Sequence, residues 1–262
     1  PELYRLNRES LDRWPSFVET LERETGIDLG FRTDGTLTVA PDEDSAAALD
    51  RVHQFQQKVG AHAERLTGAE AREREPFLAP HVVGAVYTDD AQVDNRALVR
   101  ALVTGIRSRG GSIHPDTPIE AVEPDGGTSA VVTAAGERVD GRQVVAAGAW
   151  SRQIEGLEDA VRPPVRPVRG QILELESRPA FDLRHVVRGP DAYLVPKADR
   201  RVLVGATSEE KGFEKAVTAG GLYQLLEGAL ELVPGLRELT VRNSDVGLRP
   251  GTRDNAPLLG PS

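Results

Sequence analysis

Cysteine is absent from the 262 residues of this chain, and so is methionine. Without cysteine the chain cannot form disulfides, use a thiolate as nucleophile, or bind zinc or an iron–sulfur cluster through sulfur. The five histidines are scattered, and none forms a His-x-x-x-His pair. We therefore expect no metal site.

Positive charge and long apolar runs are also scarce. Lys and Arg number 32 against 41 Asp and Glu, a net charge of −9, which argues against nucleic acid or an anionic membrane as a partner. No apolar run approaches the ~20 residues that a bilayer span needs, and no signal peptide opens the sequence. With 39% hydrophobic residues, we expect a packed core. The default expectation for its location is the cytoplasm.

Apolar residues recur at helical spacing in five segments. Asp42, Thr67 and Asp94 are predicted N-caps, and Glu70 completes a capping box with Thr67. Pro15 should kink or split the first helix, since proline removes a backbone donor. The predicted helices cover 1–26, 42–60, a segment from Thr67 to before Pro76, 94–110 and 218–233.

Short alternating runs between turn residues predict strands. Residues 25–40 should form a hairpin with an Asp34-Gly35 turn. Residues 143–151 form an apolar run ending in small residues, which is typical of a buried parallel strand. The other predicted strands cover 84–87, 112–114, 119–122, 130–133, 138–139, 165–175, 185–187, 192–196, 201–207 and 239–246, with a turn at Gly126-Gly127.

The final stretch, 246–260, is dense in turn residues. Arg249 is predicted to lie where the preceding strand ends and the turn begins. Its guanidinium is a fork of donors suited to a carboxylate or phosphate. An ordinary surface arginine is the alternative interpretation.

The sequence Gly247-Leu248-Arg249-Pro250, followed by Thr-Arg-Asp, resembles the C-terminal motif of the glycine oxidase and D-amino-acid oxidase family of flavoenzymes. The run "VVAAGAWS" at 144–151, the triplet Arg-Gly-Gln at 169–171 and "YLVP" at 193–196 also match. The resemblance implies an α/β fold, with a Rossmann-like FAD-binding domain interleaved with an antiparallel-sheet substrate domain. The implied FAD-binding segments are 1–30, 81–163 and 247–262, and the substrate segments are 31–80 and 164–246.

The same resemblance implies roles for individual residues. Arg249 would bind the carboxylate of an amino-acid substrate, and the Tyr193 hydroxyl would point at the same carboxylate. A tyrosine in mid-sheet is otherwise an ordinary core residue. The residues implied to contact FAD are Ile119, Ala147, Gly148, Trp150, Gly247 and Leu248.

A Gly-x-Gly-x-x-Gly fingerprint, which would hold the dinucleotide phosphates, occurs nowhere in residues 1–262. A family member would carry it before Pro1, and a second arginine-bearing flavin segment would follow Ser262. Together with the missing methionine, this predicts an internal piece of a longer protein. FAD binding by the piece alone is in doubt.

The implied activity is FAD-dependent oxidative deamination of glycine, sarcosine or a small D-amino acid, giving a 2-oxo acid, ammonia and hydrogen peroxide. Molecular oxygen is the second substrate, thiamine biosynthesis the implied pathway, and a homo-oligomer the implied assembly. One alternative is a related amino-acid dehydrogenase or sarcosine oxidase. Another is a non-catalytic relic domain.

Overall fold

The computed structural model describes residues 2–125, 128–157 and 162–260. The predicted turn at Gly126-Gly127 and the predicted helix start at Pro1 lie outside these ranges. The helices are α1 Glu2–Thr25, α2 Glu43–Lys58, α3 Gly68–Arg74, α4 Asn95–Ser108 and α5 Ala219–Leu232, with short 3₁₀ helices at Gly148–Gln153 and Pro234–Glu238.

The strands form an eight-stranded and a three-stranded sheet, with orders β11-β7-β10-β9-β8-β1-β3-β2 and β4-β5-β6. They are β1 Thr36–Ala40, β2 Ala63–Thr67, β3 Gly84–Thr88, β4 Ile119–Asp125, β5 Thr128–Thr133, β6 Arg138–Gly141, β7 Arg166–Glu176, β8 Val186–Arg188, β9 Tyr193–Pro196, β10 Arg201–Gly205 and β11 Thr240–Gly251.

Two compact units divide the chain. The larger unit contains residues 1–111, 171–207 and 217–245, and the smaller unit contains residues 112–170, 208–216 and 246–262. Strands β7 and β11 each have residues in both units. The assignment of sequence segments to FAD and substrate domains stays a prediction.

The predicted helix starts agree with the structure. Asp42, Asp94 and Thr218 each accept a backbone N–H of the following first turn. Thr67 and Glu70 form the predicted capping box, in which each side chain bonds the other residue's backbone N–H. These side chains satisfy donors that a helix start would otherwise leave unpaired.

Helix α1 runs through Pro15 without a break, so the predicted split is wrong. Its second half is held by packing within the larger unit. Val18 and Leu21 form a buried cluster with Leu29 and with two alanines of α4, Ala97 and Ala101. Such tertiary packing stabilises a helix more than local propensity does.

The predicted hairpin at 25–40 is wrong. Gly35 does turn the chain, with φ of 85°, but β1 pairs antiparallel with the distant β3 and parallel with β8. These partners bury Leu37 and Val39 in the main cluster of the larger unit. A local sequence pattern does not indicate this pairing, because β3 and β8 lie far along the chain from β1.

The main hydrophobic cluster combines sheet and helix. Leu173 of β7, Leu194 of β9 and Val204 of β10 pack with Leu225 and Leu232 of α5, all at most 1% exposed. All three hydrophobic clusters found among the described residues lie in the larger unit. Nowhere in the described ranges is a helix long and apolar enough to cross a bilayer.

In the smaller unit, two strand predictions are wrong. Residues 112–114 are not a strand, and neither are 143–147. Val144 is 85% exposed rather than buried. Within the described chain no strand pairs with 143–147, so the apolar run has no ladder to join. Residues 148–153 form the 3₁₀ helix instead.

Candidate active site

Arg249 lies within β11, which continues to Gly251, so the predicted strand end at residue 246 is five residues early. Its exposed side chain lies across Gly170 of β7. A Cβ built on Gly170 would be 2.6 Å from the Arg249 Cζ. The predicted turn follows β11, where the Thr252 hydroxyl donates to the Ala256 carbonyl oxygen at 2.9 Å.

A second arginine, Arg169, precedes that glycine and is only 2% exposed. Its Nη2 donates to Glu209 Oε2 at 2.5 Å, and its Nη1 lies 3.3 Å from Glu214 Oε1. The hydrogen bond to Glu209 raises the pKa of Arg169. The backbones of Arg169 and Glu209 also exchange two hydrogen bonds of 2.9 Å. The segment 208–216 is thereby fixed to the start of β7, all within the smaller unit.

Arg166 supports the same region from the strand start. It donates to Glu210 Oε1 at 3.0 Å and to the Thr252 carbonyl oxygen at 3.0 Å. In the sequence, the Arg-Gly-Gln triplet at 169–171 is recognisable only as a family match. The glutamates at 209, 210 and 214 gave no signal, because charged surface residues are common and their partners lie ~40 residues away in the chain.

Tyr193 begins β9 in the larger unit and is half-buried. It pairs with Gly205 of β10, and its ring lies over that glycine. A Cβ built on Gly205 would be 2.5 Å from the tyrosine Oη. The phenol is thus placed on the sheet surface rather than in the hydrophobic cluster.

Gln171 of β7 forms a buried hydrogen-bond network with Thr207 and Thr218. Gln171 is fully buried, and its backbone N–H donates to Thr207 Oγ1 at 2.9 Å. Its side-chain oxygen accepts from the Thr218 backbone N–H at 2.8 Å, and its Nε2 donates to Thr218 Oγ1 at 3.1 Å. Gln171 therefore ties β7 to the N-cap of α5, a role that a lone Gln in a strand pattern does not indicate.

All six residues predicted to contact FAD lie in the smaller unit with Arg249, whereas Tyr193 lies in the larger unit. Joint action of Arg249 and Tyr193 on one carboxylate stays a prediction. Ile119 opens β4 and is 39% exposed. Gly247 is exposed and Leu248 half-buried on β11, and a Cβ at Gly247 would meet nothing within 4 Å.

Ala147, Gly148 and Trp150 lie at the start of the 3₁₀ helix that follows the exposed apolar run. Gly148 has φ of 53° and open space around its Cα. The Trp150 ring is 41% exposed, its centroid is 5.7 Å from that of Phe213, and Lys215 Nζ lies 4.9 Å from it. The indole is therefore held by neighbours from the 208–216 segment.

A flat flavin ring needs close approach to the backbone and apolar cover. Gly148 and Gly247 each leave open space at the Cβ position, and Val144 and Trp150 are exposed apolar side chains. Their joint contact with a flavin stays a prediction. Residues 1–262 contain no Gly-x-Gly-x-x-Gly fingerprint, so they lack the usual binding site for the FAD phosphates.

A separate ion-pair network lies in the larger unit and contains none of the residues predicted to bind substrate or FAD. Glu174 is 5% exposed and is approached by Arg96 at 3.1 Å and Arg242 at 3.5 Å. Arg201 lies 3.6 Å from the same carboxylate and is hydrogen-bonded to Asp94. Burial raises the pKa of Asp94, but hydrogen bonds from the Ala97 N–H and from Arg201 outweigh burial and hold the pKa below its usual range.

Comparison with known proteins identifies the family. The profile described as DAO, FAD dependent oxidoreductase, matches residues 1–262, and the chain belongs to that family. It is 33% identical over 248 residues to glycine oxidase from Geobacillus kaustophilus and 32% identical over 255 residues to the bifunctional protein ThiO/ThiG of Trichormus variabilis. The crystal structure of glycine oxidase from Geobacillus kaustophilus matches with a TM-score of 0.91 at 33% identity.

Coverage of these relatives is unequal. The alignments take in 94% of this chain but 66% of the glycine oxidase, and 95% of this chain but 38% of the bifunctional protein. The structural match covers 98% of this chain and 70% of the solved chain. The α/β fold expected from the sequence is confirmed by this match, with its large mixed sheet and small antiparallel sheet.

Proposed function

We propose that the complete gene product containing this chain is an FAD-dependent oxidase of glycine or another small amino acid or amine, such as sarcosine or a small D-amino acid. The net reaction converts a primary amino acid, oxygen and water into a 2-oxo acid, ammonia and hydrogen peroxide; with sarcosine the released amine is methylamine. The observation that carries the proposal is Arg249, whose guanidinium lies close against Gly170 on the exposed end of β11. Family membership and the glycine oxidase relatives support it.

Each residue has one task in this proposal. Arg249 binds the substrate carboxylate through its guanidinium fork, and the Tyr193 hydroxyl donates a hydrogen bond to the same group. Bound FAD supplies the hydride acceptor for the α-carbon. Backbone and side chains at Ile119, Ala147, Gly148, Trp150, Gly247 and Leu248 hold the flavin. The protein thus contributes orientation and electrostatics, the usual share of a flavin enzyme.

The substrate role of Arg249 is tested in the complete gene product with FAD bound. We expect Arg249→Ala to weaken binding of glycolate, an unreactive carboxylate, by about 2–5 kcal/mol, the scale for removing a charge partner. Titration of the flavin absorbance with glycolate measures this. The control is Arg242→Ala on the same strand, which is 51% exposed and pairs with Glu174.

Unchanged glycolate affinity in Arg249→Ala would reject the proposed anchor. Rapid reoxidation of the reduced enzyme by oxygen distinguishes an oxidase from a dehydrogenase of the same family. A complete product that binds no FAD would favour a non-catalytic domain. Thiamine biosynthesis is the pathway that the resemblance implies, and the ThiO/ThiG relatives support it.

A further inference from the structure

A backbone glycine lies directly beneath the guanidinium of Arg249. The three atoms nearest to a Cβ built on Gly170 all belong to that guanidinium, and Cζ would be 2.6 Å away. Real Cβ atoms do not approach heavy atoms closer than 3.0 Å. Any side chain at Gly170 would therefore push Arg249 off its present position.

The same arrangement recurs at Tyr193. The three atoms nearest to a Cβ built on Gly205 all belong to the tyrosine phenol, with Oη at 2.5 Å and Cε2 at 2.8 Å. Gly205 is the cross-strand partner of Tyr193 in the β9–β10 ladder. The ring can lie this close to β10 because its cross-strand partner has no side chain.

A left-handed backbone conformation does not explain either glycine. Neither Gly170 nor Gly205 has the positive φ that favours glycine. Both are buried and lie in strands, where glycine weakens the strand because it has no side chain to pack. What each position does gain is close approach of the side chain above it.

We infer that Gly170 and Gly205 are positioning residues for substrate binding, Gly170 through Arg249 and Gly205 through Tyr193. The inference rests on the proposed function. The two Nη nitrogens and Cζ of Arg249 lie against Gly170, so this glycine decides where the fork that two-point carboxylate binding uses can lie. A phenol held in the same way keeps its hydroxyl in one direction. The two glycines set these directions without touching the substrate.

Alanine at either position should leave the fold intact. The atoms in collision are the far ends of the arginine and tyrosine side chains rather than backbone, so the side chain moves and the strand stays. A shift of about 1 Å in a binding group can cost up to about 100-fold in a well-oriented site. The variants should therefore fold normally and bind substrate poorly.

The first test measures glycolate affinity in the complete gene product with FAD bound. We expect Gly170→Ala to raise the glycolate Kd on the order of 10–100-fold, with the thermal midpoint near that of the parent. Gly84→Ala is the matched control, because a Cβ there would meet the Arg65 guanidinium, with Cζ at 3.1 Å, in a pair with no proposed role in binding. It should leave the glycolate Kd unchanged.

A double-mutant cycle shows whether Gly170 acts through its partner. In an Arg249→Ala background the collision is gone, so adding Gly170→Ala should change the glycolate Kd less than twofold. The same cycle applies to Gly205 and Tyr193. Gly205→Ala should weaken glycolate binding in the parent protein and should have no further effect in a Tyr193→Ala background. A crystal structure of each glycine variant should show only the partner side chain displaced.

The outcomes separate this inference from the proposed function. If Arg249→Ala leaves glycolate affinity unchanged, the proposed function fails. If Arg249→Ala weakens binding and Gly170→Ala does not, only the positioning inference fails. It also fails if Gly170→Ala costs as much in the Arg249→Ala background, or if Gly170→Ala unfolds while Gly84→Ala folds, since Gly170 would then serve backbone packing.

Discussion

The two units differ in where their apolar side chains go. In the larger unit Leu194 and Leu225 are fully buried in one cluster of sheet and helix. In the smaller unit Val144 and Leu259 are 85% and 78% exposed, and no hydrophobic cluster forms among its described residues. Exposed apolar side chains occur in the larger unit too, where Phe55 and Val99 are each 58% exposed, so the units differ in their buried clusters. The six residues predicted to contact FAD lie in the smaller unit, outside those clusters.

Removing a buried charge should give the largest difference in stability loss between the two units. Arg201 is 12% exposed and pairs with Asp94 at 11% and Glu174 at 7%. We expect Arg201→Met to lower the free energy of unfolding by about 3–5 kcal/mol, because it removes the arginine that pairs with the Asp94 carboxylate and one of the three arginines around Glu174. Urea denaturation measures the change.

Arg138 provides the control from the smaller unit. It is 39% exposed and pairs with Asp140 at 2.9 Å, so Arg138→Met should cost at most about 1 kcal/mol. Equal losses in the two variants would show that burial of charge does not distinguish the units.

Apolar truncation gives the next largest effect. Leu194 is fully buried, and Leu194→Ala should lower the free energy of unfolding by about 2–5 kcal/mol through lost transfer energy and a cavity. Val144→Ala should change it by less than about 0.5 kcal/mol, since the side chain is already exposed. Thermal and urea unfolding of both variants measure the difference. A large loss from Val144→Ala would mean that the smaller unit buries this residue in solution.

Acid sensitivity sharpens the comparison further. The pKa of Asp94 is held low in the folded chain by the Ala97 N–H and Arg201, against the effect of burial. A lowered folded pKa stabilises the fold at pH above the ordinary Asp range near ~3.9, and this contribution is lost as the pH falls towards the folded pKa. Asp94→Asn should therefore be less stable at pH 6 and lose less stability on acidification. Urea denaturation at each pH measures the free energy of unfolding. An equal loss of this free energy in the parent and in Asp94→Asn between pH 6 and pH 3 would contradict the prediction.

The sequence predicted the elements whose signals are local. The helix start at Thr67 follows from a capping box four residues long, and β9 and β10 follow from alternation between turns. The pairing of β1 with β3 depends on partners about 50 residues apart and has no local signal. The strand predicted at 143–147 failed because apolar character indicates burial only when partners are present.

The candidate site divides in the same way. The roles of Arg249 and Tyr193 are predicted from motifs in the sequence itself. The close approaches at Gly170 and Gly205 depend on cross-strand register, which brings a residue of one strand over a residue of another. A glycine in a strand pattern looks the same whether it permits such an approach or merely weakens the strand.

The contacts that β7 makes limit which sequence changes the strand can tolerate. Its 11 residues place Arg169 against Glu209, Gly170 beneath Arg249, and Leu173 in the hydrophobic cluster. Side chains alternate along a strand, so deletion or insertion of one residue would turn every later side chain to the opposite face. Substitutions at exposed positions of β7 are compatible with all of these contacts, but changes of length are not. The length of this strand is constrained more tightly than its composition.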